Sequence, residues 1–172
     1  MQEGRTYDTS LLPDILAPNL DVVFVGAAPS AAAALSGHYY AGPRNRFWDL
    51  LYMSGLTPVR LDAYLDYEVL RYGIGLTAVF LDRISTANAL LPKPDQHRLD
   101  ELMKRLYMLR PRVVCYNGKD VCRMCTDEVE PPWGELPDML GASAQFVVPS
   151  SSGRADRWRV ERLQAYCELK AL

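Results

Sequence analysis

The strongest constraint on this 172-residue chain is the recurrence of short, β-branched apolar runs separated by segments of helical period. Asp21 to Gly26 (DVVFVG) is one such run, closed by a glycine, and Gly75 to Leu81, Arg112 to Tyr116 and Gln145 to Val148 are three more. Apolar runs without polar alternation predict strands buried on both faces, as in a parallel sheet. Between them, Arg44 to Ser54 carries Phe47, Trp48, Leu50, Leu51 and Met53 and stops at Gly55. Asp95 caps a segment whose inward face is Leu99, Leu102, Leu106 and Leu109, ended by Pro111. A short helix is expected from Lys119, and an amphipathic helix from Arg157 to Leu172. This alternation predicts an α/β fold: a single three-layer α/β/α domain around a central, mainly parallel sheet of four to five strands. Residues 16–172 are expected to form it, with 1–15 as an N-terminal extension.

In such sheets a ligand binds beyond the carboxyl ends of the strands, which narrows the search to four loops: Gly26-Ala27-Ala28-Pro29-Ser30, Asp82-Arg83, Asn117-Gly118 and Pro149 to Gly153. The first suits backbone amides turned toward an anion or a carbonyl, yet it lacks the dinucleotide fingerprint and the GKS/T ending of a phosphate loop. Beside it, Gly37 to Trp48 (GHYYAGPRNRFW) gathers aromatics, two arginines and an asparagine in twelve positions. That density suits a base pocket, with Tyr40 and Asn45 as site residues and Phe47 and Trp48 as core. Near the C-terminus, Ser150, Ser151, Ser152 and Gly153 lead into Arg154, Arg157, Arg159 and Arg162. Hydroxyls and amides next to arginines make a phosphate-gripping loop with little sequence preference.

Formal net charge is −2, which excludes nucleic-acid binding by bulk positive charge but leaves room for a local basic face. Arg44, Arg46, Arg154, Arg157, Arg159 and Arg162 would concentrate there, with acids such as Asp62, Asp66 and Glu68 elsewhere in sequence. No apolar run approaches the ~18 residues of a membrane span, and the first five residues hold no signal core, so a cytoplasmic location is expected, nucleoid-associated in a bacterium. Four cysteines, Cys115, Cys122, Cys125 and Cys167, are expected as free thiols. Cys122-Arg123-Met124-Cys125 is nominally a CxxC pair, but no second ligand pair accompanies it, so neither a metal nor a cofactor is expected.

In this order the segments resemble the uracil-DNA glycosylase superfamily, most closely its mismatch-specific uracil- and thymine-DNA glycosylase branch. Leu16 to Gly26 is similar to the family's opening strand, and Gly26 to Ser30 stands in the place of its GINPG motif. Gly37 to Trp48, Met53 to Leu56, Arg71 to Thr77, Arg110 to Arg112, Asn117-Gly118-Lys119 and Pro149 to Arg154 follow the branch's pattern. The resemblance implies a monofunctional glycosylase acting as a monomer on double-stranded DNA. It would flip out a mismatched or damaged base, uracil above all, and cut the N-glycosidic bond, leaving an abasic site for downstream repair enzymes. It implies a base pocket of Gly26, Ala27, Ala28 and Tyr40, with Tyr40 stacking on the flipped base. It also implies a backbone-pinching loop at Ser150 to Gly153, with Arg154 as the wedge; Arg157, from the basic run, is expected as a DNA contact beside it.

One departure matters. The motif's water-positioning asparagine is Ala28 here, and Ser30 replaces its last glycine. Either hydrolysis is lost, leaving a damage-binding protein, or another polar group supplies it. Asp82 is the first candidate, since a carboxylate can orient water and stabilise positive charge on the sugar; its plainer reading is a salt bridge to Arg83 or a helix cap. Asn45 is the second, because hypoxanthine-removing relatives use an asparagine in this stretch, which also leaves a hypoxanthine preference open.

Overall fold

The computed structural model describes residues 10–86 and 90–172. Five strands form one sheet: β1 (Val22–Gly26), β2 (Ile74–Ala78), β3 (Val113–Asn117), β4 (Gly134–Glu135) and β5 (Ala144–Val148), in the order β2-β1-β3-β5-β4. All pairings are parallel except β4 against β5. Among the described residues five α-helices accompany them: α1 (Ala31–Ser36), α2 (Phe47–Met53), α3 (Gln96–Leu109), α4 (Lys119–Cys125) and α5 (Arg159–Ala171). Two 3-10 segments, Ala63–Tyr72 and Gly153–Trp158, also lie among the described residues.

Successive side chains of a strand point to opposite faces, and the sheet therefore builds two cores. Val22, Phe24, Ile74, Leu76, Cys115 and Phe146 face one side, where α1, α2, the Ala63–Tyr72 segment and α5 cover them. Val23, Val25, Val114, Tyr116 and Val147 face the other, against α3 and α4. This is the expected three-layer α/β/α arrangement. Aromatic packing ties the first core together: the Phe24 ring meets Phe47 edge-on at 5.1 Å and stacks on Tyr166 at 5.6 Å, joining β1 to α2 and α5.

Several boundaries differ from expectation for local reasons. The second strand leaves the ladder at Ala78, because the amides of Val79 and Phe80 turn to the carbonyls of Gly26 and Ala27, 2.9 Å away in each case. Helix α2 begins at Phe47 rather than Arg44, since the Asn45 side chain accepts the Phe47 amide at 3.0 Å and ends the turn there. The C-terminal helix is preceded by a 3-10 turn up to Trp158. Asp95 caps α3 as expected, accepting the Arg98 amide at 2.8 Å. Before residue 16, expected as an extension, Leu12 and Ile15 are buried in the first core, and Ile15 exchanges backbone hydrogen bonds with Leu76 at 2.8 and 3.0 Å.

Because Phe24 links three elements from within one core, Phe24→Ala should cost about 3–5 kcal/mol. Urea denaturation of the full chain measures it, and a loss under about 1 kcal/mol would contradict this description of the core.

Candidate functional site

Four parallel strands deliver their carboxyl ends to one edge of the domain, and the loops that follow are laced together there. The residues 79–86 after β2 run along the loop after β1. Beyond the two amides already described, the Ser85 amide donates to the Pro29 carbonyl at 2.8 Å, and Ser30 bridges to Ser85. Asp82 therefore sits on a segment anchored on both sides to Gly26-Ala27-Ala28-Pro29-Ser30.

The Asp82 carboxylate is held by Arg98 of α3, whose guanidinium donates to both of its oxygens, at 3.1 and 2.9 Å. Arg83 lies 3.9 Å away. The two guanidiniums each lie 4.9 Å from the centre of the Phe80 ring, which fixes them against the core. Partial burial by itself raises the Asp82 carboxyl, but the hydrogen bonds and charge of Arg98, with Arg83 adding, outweigh it and hold the group below its ordinary value. A solvent-facing carboxylate is thus kept ionised. The anticipated salt bridge to Arg83 is present, though the closer partner is Arg98, which sequence reasoning missed.

Tyr40 enters from the Gly37 to Trp48 segment. Its backbone is in the left-handed region at φ 55°, uncommon for an aromatic residue. The turn is held by Asp66, itself buried, which accepts the Tyr39 amide at 3.0 Å and contacts His38 Nδ1 at 3.2 Å. The Tyr39 hydroxyl donates to the Pro13 carbonyl at 2.8 Å. Asp66, which lies elsewhere in sequence from the arginines of the serine loop, is the buttress beneath this turn. The Tyr40 ring stacks on Phe47 at 4.0 Å, and its buried hydroxyl reaches toward Gly26, where an added Cβ would lie 3.4 Å from it. Burial raises the phenol above its ordinary range and the nearby Asn117 amide pulls it partly back, though among the described residues no partner lies in good hydrogen-bond geometry to the hydroxyl.

The serine loop is pinned from below. Ser151 is fully buried: its amide donates to Asn117 Oδ1 at 2.9 Å, its hydroxyl accepts from Asn117 Nδ2 at 3.0 Å, and its carbonyl accepts the Arg46 amide at 2.9 Å. Its side chain is a strut rather than a surface donor. Arg162, expected on the outer basic face, is also buried. Its guanidinium donates to the carbonyls of Ser150 and Ser152 at 3.2 and 3.3 Å and to Asp156 at 3.2 Å. What remains outward is Ser150, Ser152, Gly153, Arg154 and Arg157. Arg44, Ser152, Gly153 and Arg154 line a cleft of about 260 Å³. Glycine is required at 153, because a Cβ there would lie 2.8 Å from the Arg44 Cβ. Among the described residues Arg44, Arg154, Arg157 and Arg159 have no carboxylate partner.

Asn45 spends its carboxamide oxygen on the start of α2 and is brought near the serine loop through Arg46. Cys122 and Cys125 lie on α4, where burial pushes the Cys125 thiol up to about 12 and raises Cys122 as well, so neither is a poised thiolate at neutral pH. Among the described residues no three histidines, cysteines or carboxylates converge on a metal-sized site, and no helix is long and apolar enough to cross a membrane.

The family model described as the uracil DNA glycosylase superfamily matches residues 13–170. The chain belongs to that superfamily. Its fold is similar to the solution structure of a candidate uracil DNA glycosylase from Methanosarcina acetivorans, with a TM-score of 0.60 and 22% sequence identity over 92% of this chain and 96% of that one. At that identity the likeness bears on fold alone. Membership of a superfamily of DNA glycosylases is consistent with a DNA partner.

If Arg162 clamps the serine loop, Arg162→Met should destabilise the protein by about 2–3 kcal/mol and open the loop to proteolysis. Limited digestion and a denaturant melt read both effects. An unchanged digestion pattern at 150–154 would contradict the clamp.

Proposed function

We propose that the protein is a monofunctional DNA glycosylase that removes uracil from mismatched duplex DNA, with Asp82 taking over the work of the asparagine absent at Ala28. The carrying observation is the anchoring of Asp82 beside the Ala28 loop with its carboxylate held ionised by Arg98. Base loss passes through a transition state with positive charge on the sugar and negative charge on the leaving base. A fixed carboxylate stabilises the first and can orient the attacking water. Main-chain amides around Ala27 and Ala28 offer donors to the base, and Tyr40 an aromatic face. Ser150, Ser152 and Gly153 would hold phosphates, with Arg154 inserted where the base departs and Arg157 on the flanking backbone. The chain would act alone and pass its abasic product to downstream repair enzymes in the cytoplasm. Asn45 ranks second because its carboxamide oxygen is committed to the Phe47 amide. That it still presents an amide group keeps hypoxanthine as a further substrate to assay.

A second reading is favoured by one feature, the alanine at position 28: a damage-binding protein without hydrolysis. Single-turnover base release from U:G, T:G and hypoxanthine-containing duplexes separates the two. We expect uracil release, lowered about 10²- to 10⁴-fold by Asp82→Ala or Asp82→Asn and far less by Asn45→Ala. Since the folded-state Asp82 carboxyl titrates below its ordinary value, the rate should stay flat as pH falls until below the usual carboxylate range, about pH 4. Full activity in both Asp82 variants sinks this assignment, and binding without any product supports the second reading.

A further inference from the structure

Two of the chain's three tryptophans meet at the same edge of the sheet, beyond the serine loop. Trp133 and Trp158 are both half-buried, with ring centres 5.9 Å apart at 66°. Each carries a cation: Lys119 Nζ lies 4.5 Å over Trp133, and the Arg157 guanidinium 5.3 Å over Trp158. Trp48, the third, is buried in the first core.

The patch adjoins the site already described. Lys119 opens α4 directly after the Asn117-Gly118 corner, and a Cβ on Gly118 would lie 3.5 Å from that of Ser150. Trp158 closes the 3-10 turn that begins at Gly153. The acids closest in sequence to these cations are occupied, Asp120 by Arg123 at 2.7 Å and Asp156 by Arg162 at 3.2 Å. Among the described residues Lys119 and Arg157 have no carboxylate partner. Asp127, Glu128 and Glu130, on the chain leading to Trp133, are the opposing charges. They disfavour a dense run of phosphates and leave stacking as the main attraction.

We propose that Trp133 and Trp158, with Lys119 and Arg157, form a stacking site for an unpaired nucleobase on a single DNA strand, next to the phosphate-gripping loop. Indole faces take any base, and the two cations meet the phosphates that flank it. The inference rests on the serine loop being the DNA-facing edge, and it adds a single-strand contact to that edge. Strand separation beside a flipped base, or a lesion in single-stranded DNA, would supply the ligand.

The test titrates the full chain with an oligothymidylate of about twelve nucleotides, which contains no uracil, and follows indole fluorescence and binding at fixed salt. Quenching is expected. Trp158→Ala should weaken binding about 5- to 100-fold and Trp158→Phe only slightly, because a ring is kept. Lys119→Gln should reduce the salt slope by about 0.7, the single-strand value for one phosphate contact. If Trp158→Ala fails to fold, Trp158→Phe and Lys119→Gln decide. Absent quenching, or wild-type affinity and salt slope across the folded variants, overturns the proposal. So does a Trp158→Ala change confined to self-association in sedimentation. Uracil release from a U:G duplex is read in parallel. Oligothymidylate binding through the tryptophans without release would leave this site standing and fail the glycosylase reading, and the reverse pattern would do the opposite.

Discussion

The carboxyl edge of the sheet is organised by one buried carboxamide. Asn117, the last residue of β3, holds Ser151 by amide and hydroxyl at once, and Ser151 in turn receives the Arg46 amide. Three loops from distant parts of the chain are thereby fixed by one side chain. A buried amide left without partners costs about 1–3 kcal/mol, more than a satisfied one contributes. The arrangement is consequently close to all-or-none: the serine loop either meets Asn117 or loses its support.

The same logic runs through the other polar groups buried near this edge. Asp66 is spent on the turn before Tyr40, and Arg162 on the carbonyls of the serine loop. Each holds a backbone conformation that the apolar core has no means to specify, including the left-handed Tyr40. The outward groups are left free of such duties. Among the described residues Arg44, Arg154 and Arg157 have no carboxylate partner and are exposed at a single edge, and a chain of net charge −2 acquires a local positive face without becoming a basic protein.

The four longer strands and the parallel sheet were legible because each strand is a continuous apolar run, a pattern with few alternatives. β4 was not: Gly134–Glu135 has no pattern of its own and exists through pairing with Phe146 and Val147. Helix α1 is nearly all alanine, without an amphipathic stripe, and is defined by its ends, the Ser30 cap and Gly37 in the left-handed region. At the site, the loops and Tyr40 could be placed from strand ends and from the resemblance. The supporting charges could not be placed by charge alone, since their partners lie far away in sequence. A periodic signal was nevertheless present. Arg162 shares the stripe of Ala165, Tyr166 and Leu169 on α5, and Asp66 falls between Ala63 and Val69 at the three-residue period of a 3-10 segment. A charged residue on an apolar stripe is a buried residue in search of a partner. Arg98 offered no such mark, because its contact with Asp82 depends on where the chain turns after β2.

The central claim is that Asp82 faces the sugar of a base held out of the duplex against Tyr40. The crystal structure of the Asp82→Asn protein with a U:G duplex tests it most directly. The account predicts an extruded uracil lying on the Tyr40 ring, with the residue 82 side chain within about 3–4 Å of C1′ or of one water between them. A flipped base with residue 82 still turned away toward Arg98 and out of reach of the sugar, or a base that stays stacked in the helix, would contradict it.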